Sequence, residues 1–191
     1  MVRALAPLAP LARTIALPRH PEYAPEMEID ILIEAPEWEA IDLSALADAA
    51  GELTLSELGM APSRFSLSIL ACNDARIATL NTEFRGKPTP TNVLSWPSDH
   101  RTPATPGQMP DLPSPTLAGP PEELGDLALA YQTCAREAGD GNKPLPHHVS
   151  HLIVHGLLHC LGFDHETDAD AELMESLETR ILAKMGVPDP Y

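Results

Sequence analysis

The order of apolar and polar positions divides the chain into short alternating stretches and longer helical ones. Met27 to Glu34 alternates apolar and acidic residues and then runs apolar, which predicts a strand at a sheet edge. Ile41 to Ala50 is alanine-rich and predicts a helix. Phe65 to Leu70 alternates cleanly and predicts a second strand. Asn73 or Asp74 can cap a second helix running to about Phe84, with Ile77, Leu80 and Phe84 as its core stripe. Val93 to Trp96 is a short third strand stopped by Pro97, and Leu124 to Ala130 is a fourth. A short helix over Thr133 to Ala138 is broken by Gly139 and Gly141, and Pro146 suits the first turn of another helix. The last helix starts at Thr167, whose hydroxyl can cap it while Asp170 completes a capping box. Leu173, Leu177 and Ile181 form its core stripe, and Gly186 ends it. Helices and strands interleave, so the expected fold class is α+β: one mixed four-stranded sheet with helices packed on it.

Two stretches follow neither period. Residues 1–26 hold five prolines, three arginines and two acids. The apolar run Ala4 to Ala12 behind Arg3 faintly resembles a signal peptide, but Pro7 and Pro10 interrupt it and no small-x-small cleavage site follows. The expectation there is a disordered N-terminal extension. Residues 97–121 hold eight prolines, with Gly107 and Gly119 among them, and the expectation over 98–121 is a Pro-rich mobile loop insertion. Residues 27–191 are then expected to form a single domain.

Charge narrows the function. With 12 Lys and Arg against 28 Asp and Glu, the balance argues against broad, non-specific nucleic-acid binding driven by net charge, but does not exclude a local basic site. From Asp164 onward there are eight carboxylates and only Arg180 and Lys184, which reads mostly as a solvated helix face. Three cysteines without a C-x-x-C pair suggest reduced thiols and a cytoplasmic setting. No run of about 20 apolar residues is present, so no membrane partner is expected.

The candidate chemistry sits in His155-Gly156-Leu157-Leu158-His159-Cys160-Leu161-Gly162-Phe163-Asp164-His165. Residues four apart on a helix lie about 40° apart around its axis, so His155 and His159 share one face. Gly162 can end the helix in a left-handed turn that brings His165 back toward the same point. Three imidazoles on one point make a metal site with an open fourth position; zinc is the first expectation, and nickel or another transition metal also suits imidazole. Cys160 points about 100° away from His159 and reads as core. The same ligand spacing occurs in metzincin peptidases, but these need a glutamate right after the first histidine, where this chain has Gly156. Asp164 can orient His165, help activate water or simply shape the turn. His151, one turn before His155, can line the cleft or serve as a polar face residue. His147 and His148 are expected to be exposed.

A second stretch narrows the reading. Leu80-Asn81-Thr82-Glu83-Phe84-Arg85-Gly86-Lys87 leads into Pro90-Thr91-Asn92-Val93-Leu94-Ser95-Trp96-Pro97. With the Leu124-Gly125-Asp126-Leu127 strand, the histidine motif and Asp189-Pro190-Tyr191, these runs resemble the YbeY family of bacterial endoribonucleases. The likeness spans residues 27–191 in the right order; residues 1–26 and 98–121 look like additions, and Cys160 and Phe163 are mild variants. The resemblance implies a metal-dependent, single-strand-specific endoribonuclease. It implies a role in ribosomal RNA maturation, notably at the 3′ end of the 16S RNA, and in ribosome quality control. It also implies ribosomal RNA, the small ribosomal subunit and assembly proteins as partners. The three histidines carry over as ligands and Arg85 as the catalytic arginine, with Lys87 as the nearest other cation. Arginine's planar fork suits phosphate oxygens that gain charge during cleavage. By itself, Arg85 also reads as a cation complementing a helix end. A zinc-dependent hydrolase of another substrate and a ribosome assembly factor with a structural metal are the competing readings.

Overall fold

The structure is a computed structural model that describes residues 26–114 and 119–191; the extension expected over residues 1–26 lies almost wholly outside the described residues. Four strands are present: β1 (Glu28–Ile33), β2 (Phe65–Cys72), β3 (Val93–Pro97) and β4 (Glu122–Ala130). Five helices accompany them: α1 (Leu43–Glu57), α2 (Asp74–Arg85), α3 (Tyr131–Asp140), α4 (Leu145–Cys160) and α5 (Asp168–Lys184). The strands form one sheet in the order β1-β2-β4-β3. β1 and β4 each pair parallel with β2, while β3 runs antiparallel along β4 at the outer edge. The expected mixed α+β sheet is therefore the observed one.

Alternation along the two central strands decides which helix lies on which face. Phe65, Leu67, Ile69 and Ala71 of β2, with Leu127 and Leu129 of β4, face the main core, which buries α1, α4 and α5 against the sheet. Cys72, Ala128 and Ala130 face the other way, onto Ile77 and Leu80 of α2 in a second, smaller core. The helix bearing the histidine motif and the helix ending at Arg85 thus pack on opposite faces of the sheet.

Local capping follows the residues chosen for it. Asn73 Oδ1 accepts the Arg76 N–H at 2.9 Å, and Gly86 closes α2 in a left-handed turn. Thr167 caps α5 by accepting the Asp170 N–H at 3.3 Å. The Asp170 carboxylate accepts the Thr167 hydroxyl at 2.6 Å and the Gly107 N–H at 2.7 Å, so the expected capping box is only half formed. α1 continues seven residues past Ala50, through Gly51, where a Cβ would lie 2.8 Å from Met27 Sδ and glycine lets the helix approach that side chain closely. Packing against the sheet overrides the poor helix propensity of glycine there. The described part of the proline-rich stretch, 98–114, contains no helix or strand; its Leu112 packs against the main core.

Candidate metal centre

α4 is apolar on nearly all sides because it is wedged between the sheet and the helices α1, α3 and α5. Its one polar stripe is His148, His151, His155 and His159, spaced three and four residues apart. After Leu161 the chain turns at Gly162, whose φ of 97° is rarely open to other residues and whose missing Cβ would sit 2.7 Å from the Arg101 backbone. This turn returns His165 to the stripe. Its ring centroid lies 5.3 Å from that of His155 and 5.0 Å from that of His159. Potential ligand atoms of His155, His159 and His165 all fall within 4.8 Å of one another.

The hydrogen bonds settle which nitrogens face inward. His159 Nδ1 lies 3.0 Å from the Phe163 carbonyl oxygen, which can only accept, so Nδ1 carries the proton. Burial and the neighbouring His155 and His165 lower the His159 pKa to about 4, keeping the ring neutral and Nε2 bare. His155 Nδ1 lies 2.8 Å from Glu178 Oε1 and donates to it. In its neutral form His155 Nε2 is bare as well. The two Nε2 atoms stand 3.1 Å apart. Two such nitrogens at that distance come together only around a shared proton or a cation. Nitrogens bound tetrahedrally at about 2.0–2.1 Å are separated by about 3.3 Å, so the spacing suits a metal ion. No fourth protein ligand completes the group among the described residues, which leaves a position for water or substrate.

Glu178 was not expected in the site. Read from the sequence as part of a solvated acidic face, it is instead 0 % exposed. Burial raises its pKa, but hydrogen bonds from His151, His155 and Tyr191 outweigh that and hold it at about 2. The signal was present in the pattern: Met174, Leu177, Ile181 and Leu182 are buried, and Glu178 lies in the middle of that stripe. His151 Nε2 sits 3.0 Å from Glu178 Oε2, and the Tyr191 hydroxyl donates to the same oxygen.

A cleft of about 220 Å³ opens over these groups, lined by Asn92, Val93, His151, His155, His165 and Tyr191. A larger groove of about 350 Å³ lies beside β1, lined by Ile29, Ile31 and Trp38, and offers no histidine or cysteine. The chemistry belongs to the smaller cleft. Asp164 accepts the His165 backbone N–H at 2.7 Å and so shapes the turn. His148, expected to be exposed, is only 12 % exposed at its side chain and pairs with Glu137 at 2.9 Å. His147 is likewise partly buried. Cys160 is fully buried, and burial pushes its thiol up to about 12, leaving it inert as expected.

Arg85 and Lys87 are exposed and do not line the cleft. Arg85 ends α2 on the opposite face of the sheet. β3 lies between the two sites: Trp96 packs edge-on against Phe84 at 4.9 Å, and Val93 lines the cleft. Arg85 and Lys87 also differ from every other described cation. Arg76, Arg101, Arg136, Arg180 and Lys184 each face a carboxylate, Lys143 donates to the Pro190 carbonyl, and Arg64 to the Gly119 carbonyl. Arg85 and Lys87 make no ion pair or side-chain hydrogen bond with a described residue.

Acid should weaken the metal-free protein. The His159 pKa lies below its usual 6.5 and that of Glu178 below its usual 4.5, so the unfolded chain binds more protons than the folded one as pH falls. Stability contributed by His159 is complete above pH 6.5 and is lost toward pH 4; that from Glu178 is lost between 4.5 and 2. The His159 part is on the order of 3 kcal/mol. Denaturant melts of chelator-treated protein from pH 7.5 to 4 should show this decline; a flat profile would remove the buried neutral imidazole.

Fold and centre together define a small α+β protein with a three-histidine, metal-capable group on a helix and the turn after it. The Endoribonuclease YbeY family matches residues 29–186, and the chain belongs to that family. An endoribonuclease YbeY from Jannaschia sp. is 73% identical over 165 residues, covering 86% of this chain and 100% of the relative. One from Dinoroseobacter shibae is 58% identical over 173 residues, covering 90% of this chain and 94% of the relative. Among solved structures, the solution structure of a Thermotoga maritima protein covers 83% of this chain and 91% of its own at 20% identity, with a TM-score of 0.50. At that identity the likeness concerns the fold alone.

Proposed function

We propose that this protein is a metal-dependent endoribonuclease that cuts single-stranded segments of ribosomal RNA during maturation, including the 3′ end of the 16S RNA. His155, His159 and His165 hold the metal, and Arg85 holds a substrate phosphate. The observation that carries the reading is the convergence of His155, His159 and His165 within 4.8 Å of one another, with the Nε2 atoms of the first two 3.1 Å apart. Zinc is the ion we assign, with nickel or another transition metal as the alternative. When bound, such an ion polarises a phosphate oxygen or lowers the pKa of a bound water. The protein's own residues do the rest. The histidines present a fixed face under the cleft, and Arg85 and Lys87, without partners among the described residues, offer positive charge where α2 ends. In a chain of net charge −16, two cations without partners among the described residues are well suited to a phosphate backbone. No helix among the described residues is long and apolar enough to cross a membrane. Residues 27–191 act as one catalytic unit in a cytoplasmic setting, beside the small ribosomal subunit and its assembly proteins.

The competing hydrolase reading is weakened at Gly156. A Cβ there would lie 2.7 Å from Leu127 Cδ2, so the position faces the sheet and has no room for the glutamate base of a metzincin-type peptidase. The assembly-factor reading needs a closed structural site, and the three-ligand group leaves one position open. The test is cleavage of a single-stranded RNA and of the same sequence as a duplex, before and after chelation and zinc return. Loss on chelation, recovery with zinc and preference for the single strand are expected. Cleavage that survives full metal removal would overturn the reading.

A further inference from the structure

The environment of Glu178 exceeds what packing requires. An isolated charge is expensive to bury, and here a fully buried carboxylate faces no lysine or arginine among the described residues. It accepts from three donors instead: His155 Nδ1 at 2.8 Å, His151 Nε2 at 3.0 Å and the Tyr191 hydroxyl. One oxygen is used by His155 alone and the other is shared by His151 and Tyr191. The Tyr191 ring also stands edge-on to His151, with centroids 5.8 Å apart. We infer that Glu178, held in place by His151 and Tyr191, is a positioning residue for His155: it fixes the Nδ1–H tautomer and the ring plane, so that the bare Nε2 faces His159. The inference rests on the reading of His155, His159 and His165 as metal ligands.

The geometry supports positioning over two other roles. His151, His155 and Glu178 also have ligand atoms within 4.8 Å of one another, as a second cation site would require. Yet both histidine nitrogens lie at hydrogen-bond distance from the carboxylate, and His155 Nδ1 cannot both donate a proton there and bind a cation. As a fourth ligand to the first site, Glu178 would have to give up a donor and expose it unpaired. An acceptor-only anion is also the one group that suits all three donors; a neutral acid or amide would turn one of its own hydrogens toward an N–H. α5 thus carries the support for a ligand set that lies wholly on α4 and the following turn. A hydrogen bond from His155 Nδ1–H to the buried carboxylate leaves Nε2 as the reactive atom and raises its basicity.

Imidazole ¹H–¹⁵N spectra of the full chain, metal-free and zinc-loaded, test this directly. His155 is expected as the Nδ1–H tautomer in the metal-free protein and bound through Nε2 with zinc. Glu178→Gln should lose that Nδ1–H signature and weaken zinc binding about 10- to 100-fold by chelator competition. Glu178→Asp should regain part of the affinity, and Tyr191→Phe should lose only a few-fold. A glutamate with a structural role alone would lower the melting temperature and leave tautomer and affinity unchanged. Should Glu178→Gln fail to fold, the wild-type spectra decide: an Nε2–H tautomer, or zinc on Nδ1, overturns the inference. A folded Glu178→Gln with wild-type affinity overturns it alone. A wild-type chain that takes up no zinc with its histidines intact removes the metal reading itself.

Discussion

His159→Ala is expected to purify with almost no metal, where the wild type carries close to one ion per chain. Two ligands remain, His155 and His165, and the described residues offer no adjacent replacement because the Glu178 oxygens are already taken by three donors. Metal binding and folding share free energy, so a ligand present at 1,000 times its dissociation constant adds about 4 kcal/mol to wild-type stability that the variant forgoes. RNA cleavage should fall with the metal. A second comparison isolates the cause. The metal contributes to wild-type stability only while it is bound. The stability gap between variant and wild type should therefore shrink markedly once both are stripped of metal. Elemental analysis and paired melts measure this. A variant that keeps its metal would place the ion elsewhere.

Arg85→Ala is expected to leave metal content and melting temperature near wild type while cleavage falls. The side chain is exposed and unpaired, so the fold loses nothing when it is removed. A charge-assisted contact to phosphate is worth about 1.5–3 kcal/mol, which is roughly 10- to 150-fold in kcat/KM. Arg85→Lys should recover part of this, since the charge remains and the bidentate fork does not. Because Lys87 is the other cation without a partner among the described residues, Arg85→Lys combined with Lys87→Ala should cost more than either change alone. The position of Arg85 sets which constant moves. If it grips the strand away from the metal, on the α2 side of β3, the loss appears mainly in KM. If the strand folds over β3 so that Arg85 reaches the reacting phosphate, kcat falls instead. Wild-type kinetics in Arg85→Ala would remove the residue from substrate contact altogether.

Glu178 shows where reading by residue type fails. Among the acids after Asp164 it looked like one more solvated carboxylate, although its place between Leu177 and Ile181 put it on the buried face of α5. Burial at that position depends on α4 lying against α5, and its partners His151, His155 and Tyr191 are 27, 23 and 13 residues away. Composition argues for the surface, and only the packing of the two helices argues otherwise. The absent side chain at Gly156 is a similar case. From the motif it is a missing catalytic base; in the fold it is the point where α4 touches Leu127 of β4.

What the chain determined by itself is local. Asn73 and Thr167 cap their helices, four-residue spacing places His155 and His159 on one face, and Gly162 turns the chain back to His165. Each depends on neighbours within one or two turns, where backbone geometry and hydrogen-bond chemistry leave few alternatives. What tertiary structure decided is non-local. The antiparallel placement of β3 at the sheet edge, the separation of Arg85 from the histidines by that strand, and the burial of Glu178 beneath them all follow from how distant segments pack. Apolar stripes specify that a face is buried, but many partners can cover it. Only the packed assembly selects one, and with it the donors that fix the tautomers of the centre.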